Sequence, residues 1–279
     1  MNGGVAGAIA AGAAAGAVVA IGVVRLRLAS PPARLIRTNY AGLEVPAVLG
    51  DGIVAGSLVA LAALGAAGAA GWTAAETGRM GAAVALAVGI MGAAGRLDDL
   101  RGDEATHGFS GHLRAAVRGH LTGGALKILA GGVAGLAAGV LVTTGIDVLI
   151  VGVLVALGAN SFNLLDRAPG RAGKVWLLAA VPLFVWGPSG WAVAAAGMGG
   201  ALVALLPADL GARGMLGDAG ANPLGAVWGL GLASATGDAG RVIAIGALVL
   251  LNAASERWSF SRAIENVAWL RGLDQLGRK

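Results

Sequence analysis

The chain has 279 residues, of which 57% are hydrophobic and 13% charged, with a mean hydropathy of +0.78 and a formal net charge of +5. Soluble domains carry about a quarter charged residues, so a water-soluble core is excluded. There is no cysteine, which removes disulfides, thiolate metal sites and cysteine nucleophiles, and no stripe of cations with interleaved aromatics points to nucleic acid.

A bilayer core of roughly 30 Å needs about 20 residues of helix, and the apolar runs predict about nine spans. The first, Gly3 to Val24, is followed by Arg25 and Arg27. A cleavable signal would carry its basic residues before the run, so this segment reads as a first span. Further spans are expected over Ile53 to Gly71, Met80 to Leu97, Gly123 to Thr144, Val148 to Leu165, Val175 to Trp186, Trp191 to Leu206, Ala221 to Ala235 and Val242 to Ala254. The sixth, eighth and ninth are short. Each run is rich in Ala and Gly, and small residues let helix backbones approach closely in a membrane. The expectation is an all-α polytopic transmembrane helical bundle, one membrane domain over 1–279, with interfacial amphipathic helices.

If the first span exits into the cytoplasm, every Lys and Arg except Arg79 and Arg241 falls on the cytoplasmic side. That asymmetry is what the positive-inside rule demands. It predicts a multi-pass protein of the cell (inner) membrane with its amino terminus outside and its carboxyl terminus inside. Cytoplasmic loops are then expected at about 25–52, 98–122, 166–174 and 207–220, and a cytoplasmic tail at about 255–279. Two segments read as interfacial helices. In Phe109 to Leu121 the apolar Phe109, Leu113 and Val117 recur every four residues, and in the tail Phe260, Ile264, Val267, Leu270 and Leu273 form one stripe. Solvated loop helices covering the bundle would show the same pattern.

Of the fifteen acids, Glu76, Asp147 and Asp238 sit in short exterior loops. Asp98, Asp99, Asp166 and Asp218 lie where an apolar helix meets a cytoplasmic loop. Ionisable groups at that depth are costly unless they serve a partner, a cavity or a metal. Adjacent carboxylates such as Asp98 and Asp99 can divide labour between orienting a group and accepting a proton, though a hydrated helix cap also accounts for such a pair. Asn160, Asn163 and Asp166 follow at one-turn spacing on one helix face. Their oxygens suit Mg2+, while stitching between helices is the alternative for the asparagines. Arg167, Arg171 and Lys174 come next and are candidates for holding phosphate. Asp218 stands in the glycine-rich turn Gly214-Met-Leu-Gly217-Asp218-Ala-Gly220 before an apolar helix, where a phosphate can approach backbone N–H groups or the Asp simply caps the helix.

Four segments in order carry a resemblance. They are the loop Asn39-Tyr-Ala-Gly42-Leu-Glu-Val-Pro46-Ala-Val-Leu-Gly50-Asp-Gly52, the Asp98-Asp99 pair, Asn160-Ser-Phe-Asn163-Leu-Leu-Asp166, and Gly217-Asp218-Ala-Gly220. Together they resemble the polyprenyl-phosphate phospho-N-acetylhexosamine-1-phosphate transferase superfamily of MraY-like and WecA-like enzymes. The resemblance implies that a polyprenyl phosphate attacks a UDP-sugar, releasing UMP. It assigns Asp218, with Asn163, to Mg2+, Mn2+ being an alternative ion. It places Asp98 and Asp99 beside the lipid phosphate with one as base, Asp166 in the nucleotide-sugar site, and Lys127 on a phosphate. It further implies membrane lipids as surroundings and leaves a homodimer open.

Three departures mark this chain. Asn252-Ala-Ala-Ser255-Glu256-Arg257-Trp258-Ser259-Phe260 stands where many members carry a histidine-rich loop, and Asp166-Arg167-Ala-Pro169-Gly170-Arg171 replaces an Asp-Gly-x-Asp/Asn-Gly continuation. The chain also ends in a tail where a further span is usual. His107, His112 and His120, at spacings that define no metal site, are assigned to the hydrated surface. The rival readings are a catalytically silent relative that binds lipid phosphate or scaffolds other membrane proteins, and a transporter, which would place its acids nearer mid-membrane.

Overall fold

The structure, a computed structural model, describes residues 3–39, 42–101 and 123–278. His107, His112, His120 and the expected interfacial helix from Phe109 to Leu121 lie outside the described residues. Within them the chain is all-α apart from one short hairpin. Nine helices make the bundle: α1 Gly3–Ala29, α2 Leu49–Ala69, α3 Ala75–Arg101, α4 Gly123–Val142, α5 Asp147–Leu165, α6 Arg171–Trp186, α7 Ser189–Leu210, α8 Asp218–Ala235 and α9 Asp238–Ser255. Two short ones, α10 Phe260–Asn266 and α11 Ala268–Gln275, form the tail. Seven described helices are long and apolar enough to cross a membrane. The other two bundle helices, α6 and α8, have 16 and 18 residues, and α8 is almost wholly enclosed by its neighbours, so protein rather than lipid surrounds it.

Small residues set the helix spacing. α5 and α8 cross where Gly158 meets Gly225 and Leu154 meets Gly229, and a Cβ at Gly225 would overlap the backbone carbonyl of Gly158. α1 packs on α7 through Gly16 against Gly197, and α4 on α5 through Gly135 against Gly152. With lipid outside as apolar as the side chains inside, this close van der Waals contact is what favours helix association. The core adds Trp176 and Trp191, whose indole N–H groups donate to the carbonyls of Leu224 and Val227 at 2.9 Å each. A third indole, Trp228, donates to Ala179 at 3.1 Å. α9 is the opposite case: only Leu248 is buried in it, and Val242, Ile243, Val249 and Leu250 face outward.

The pairings that these contacts imply alternate the nine helices up and down. One end of the bundle therefore gathers the last turns of α1, α3, α5, α7 and α9 with the first turns of α2, α4, α6 and α8. Exposed tryptophans mark both ends, Trp72 and Trp186 at one and Trp258 and Trp269 at the other, the pattern of aromatic belts at the two faces of a bilayer. Arg241 lies at the Trp72 end, paired with Asp147 at 3.3 Å.

Two local features were not expected from the sequence. The loop after α1 forms a hairpin, β1 Ile36–Thr38 antiparallel to β2 Glu44–Pro46, with Arg37 opposite Val45. The tail stripe is not one helix: extended backbone at Val267 (φ −107°, ψ 109°) divides α10 from α11.

Candidate functional site

The acidic ends of the helices converge. Asp98 and Asp99 occupy the last turn of α3 and, one residue apart, point about 100° from each other. They meet different neighbours. Asp99 turns to the start of α8, where its two carboxylate oxygens accept the backbone N–H groups of Asp218 at 3.0 Å and Ala219 at 3.1 Å. The first N–H groups of a helix have no partner within it, and Gly217, preceding α8, has no side chain to supply one. Gly217 is at φ +63°, and a Cβ there would crowd the Asp99 carboxylate at 3.0 Å. Glycine is thus required twice over, and the cap of α8 comes from α3.

Asp99 is itself held. Arg96, one turn earlier, donates to Asp99 at 3.3 Å, to the Ala47 carbonyl at 2.9 Å and through Nε to Asp51 at 3.0 Å. Asp51 also pairs with Arg27 at 3.0 Å. Arg37, from the hairpin, donates to the backbone carbonyl of Asp99. The arginines thus tie α1, α2, the hairpin and α3 to the start of α8.

Asp98 faces α4. The Lys127 ammonium lies 2.7 Å from its carboxylate and also contacts Asp218, while the Asn163 side-chain amide donates to Asp218 from α5. Four helices thereby bring Asp98, Lys127, Asn163 and Asp218 to one place. The Asp98, Lys127 and Asp218 side chains remain 19%, 21% and 21% exposed, so water reaches them. Asp166, just past α5, lies near enough to feel Asp209, Asp218 and Asp99. Its surroundings strip water from it and those charges repel it, so its carboxyl is raised well above the usual range despite Arg167.

Not every candidate joins this cluster. Asn160 donates to Asn252 on α9, and Asn252 donates to Ser161 at 2.9 Å; this is a link between helices. Arg171 and Lys174 are given to the tail. Arg171 is buried and makes a two-pronged bond to Asp274, at 2.8 and 2.9 Å, and a third to Ser261 at 2.9 Å. Lys174 donates to the carbonyls of Leu273, Asp274 and Leu276 at 2.9, 2.6 and 3.0 Å, closing the end of α11. Arg167 remains exposed beside Asp166.

The residues present fit Mg2+. Asp98 and Asp218 are oxygen donors on separate helices, with the Asn163 amide beside them, and Mg2+ is commonly bound through one or two carboxylates with phosphate and water completing its shell. Among the described residues no group of three or more His, Cys, Asp or Glu forms a metal cage, so such an ion would need ligands from a substrate. Sequence reasoning missed Arg37 and Arg96, which hold Asp99, and Asp51 and Arg27, which extend that network from Arg96, and it missed Asp209. Only Asp51 and Asp209 left a signal, as acids beside apolar runs.

No protein-family model matches the chain, and no curated protein matches it.

Proposed function

We propose that this protein is a Mg2+-dependent phosphoglycosyltransferase that moves a sugar-1-phosphate from a UDP-sugar, of UDP-N-acetylhexosamine type, to a polyprenyl phosphate, releasing UMP, in cell-envelope glycan synthesis. The observation that carries this reading is the meeting of Asp98, Lys127, Asn163 and Asp218 from four helices at one end of a membrane bundle, open to water. A lipid phosphate must react with a water-soluble donor at the membrane surface, and a site at the helix ends serves both. The distribution of Lys and Arg supports reading that end as cytoplasmic, in the cell (inner) membrane, with the amino terminus outside.

In the reaction an oxygen of the lipid phosphate forms a bond to the β-phosphorus of the UDP-sugar. The bond from that phosphorus to the bridging oxygen breaks, and UMP leaves with the oxygen. Positioning and charge neutralisation supply most of the catalysis in phosphoryl transfer. Mg2+, held by Asp218 with Asn163 and Asp98, would offset the charge of the two phosphate groups. Lys127 is placed to donate to a phosphate when a ligand enters between it and the carboxylates. Asp99 serves as a positioning residue, because both its oxygens are committed to α8. A lipid phosphate is already ionised at neutral pH, so neither Asp98 nor Asp99 has to remove a proton from it.

The test uses purified protein in detergent with Mg2+, polyprenyl phosphate and a panel of UDP-sugars. UMP release that disappears in Asp218→Asn is the expected result; no turnover with any donor rejects the reading. One observation favours a second reading, a catalytically silent relative acting as a lipid-phosphate-binding or scaffold protein. Arg171 and Lys174, cations expected to meet the donor, are occupied by the protein's own tail. Polyprenyl phosphate binding without turnover would establish it.

A further inference from the structure

A small cleft of about 20 Å3 opens between the ends of α5 and α7, lined by Asn39, Asp166, Arg167, Asp209, Ala212 and Met215 among others. Asp209 on its wall is 4% exposed. The backbone N–H of Gly170 bonds to its carboxylate, but Oδ2 has no hydrogen-bond partner. A buried carboxylate oxygen left without a partner loses the hydrogen bonds water gave it and gains none in return, which is costly, more so when the group is charged. Its setting aggravates the cost. Asp209 lies in the last turn of α7 and Asp166 at the end of α5, and helix carboxyl ends carry partial negative charge that repels acids and attracts cations.

The nearby cations do not close on Asp209. Lys174 spends its bonds on three tail carbonyls, and Arg278 donates to the Pro169 carbonyl at 2.9 Å and to Asp274 at 2.7 Å. Arg167, on the cleft wall, is exposed. The chain also bears strain here: Ala212, at φ +49°, is the one non-glycine residue with positive φ among the described residues. Such conformations persist where surrounding structure enforces them, often beside binding sites.

We propose that this cleft is a divalent-cation site in which Asp209 and Asp166 bind directly, through carboxylate oxygens, an ion of the Mg2+, Mn2+ or Ca2+ class, water meeting it only on the open side of the cleft. Hard oxygen donors select these ions over softer metals. Asp98, Lys127, Asn163 and Asp218 do not line this cleft, although Asp166 feels the charge of Asp218, and the inference stands whether or not the protein is a transferase.

Mn2+ titration of the full chain in neutral detergent, without substrates and followed by electron paramagnetic resonance, tests it. Asp209→Asn, which keeps shape and removes charge, should lose one equivalent of bound Mn2+ or bind it at least tenfold more weakly. Asp218→Asn should retain that equivalent. Unchanged binding in Asp209→Asn, or no Mn2+ bound by the wild type, overturns the proposal. Loss in Asp209→Asn with no effect of Asp218→Asn supports this site and counts against the metal role of Asp218. Should Asp209→Asn unfold, Fe2+ with peroxide on the wild type provides a second reading. Backbone cleavage near 166–170 and 209–215 supports the site, and cleavage confined to other segments overturns it.

Discussion

Replacing Asp99 by alanine removes the cap of α8 without touching α8 itself. Two backbone N–H groups, at 3.0 and 3.1 Å, lose their acceptor, and Arg96 loses one of its partners. An N-cap is worth about 1 kcal/mol, within 0.5–2, and a partly buried charge at a helix start adds roughly another 1. Asp99→Ala should therefore cost about 2–3 kcal/mol and Asp99→Asn, which keeps one acceptor oxygen, about 1. Thermal unfolding in detergent measures the loss, and hydrogen exchange localises it, with faster exchange expected at 217–222. Asp98→Asn should leave exchange there unaffected. If Asp99→Ala unfolds with the wild type and its α8 amides exchange no faster, Asp99 does not position α8 and the reasoning fails.

Lys127→Met leaves the carboxylates of Asp98 and Asp218 facing each other. Breaking a buried pair costs about 3–5 kcal/mol, and with a fifth of each side chain exposed the expected loss is about 1–2; added Mg2+ should raise the melting temperature of the variant more than that of the wild type. The tail carries a pH dependence. Burial works to raise the Asp274 carboxyl, but the Arg171 hydrogen bond and the charges of Arg171 and Arg278 prevail and lower it. Because the docked value lies below the free one, near 3.9, the stabilisation is full above about pH 4 and lost as pH falls through the docked value. Hydrogen exchange at 268–278 should rise below pH 4, and Asp274→Asn should show the same rise at neutral pH.

The bundle was legible because composition is a statement about solvent: runs of Ala, Leu, Val and Gly long enough to cross a bilayer have few other destinations. The limits of α6 and α8 were harder, since their shielding comes from neighbours and leaves no mark in their own hydropathy. Among the site residues, Asp98, Asn163 and Asp218 could be picked out as polar groups at the ends of apolar runs. Their meeting depends on helix order and tilt, which no local pattern records. Asp99 differs from its neighbour only by a rotation along α3, and that rotation decides which acid faces Lys127 and which caps α8. Arg171 and Lys174 showed the converse problem: basic residues after an acidic segment suit an outside anion and the molecule's own carboxylate equally well.

α8 is fastened along its length by indole donors from α6 and α7 and by glycine contacts with α5, and Asp218 stands at its first residue. A rod clamped in this way has little freedom to rock, so Asp218 behaves as a fixed post. Whatever motion admits or releases a ligand then belongs to the segments around that post, the hairpin after α1 and the turn between α5 and α6, and substitutions at the Trp176 and Trp191 anchors would blur the site from well over a turn away.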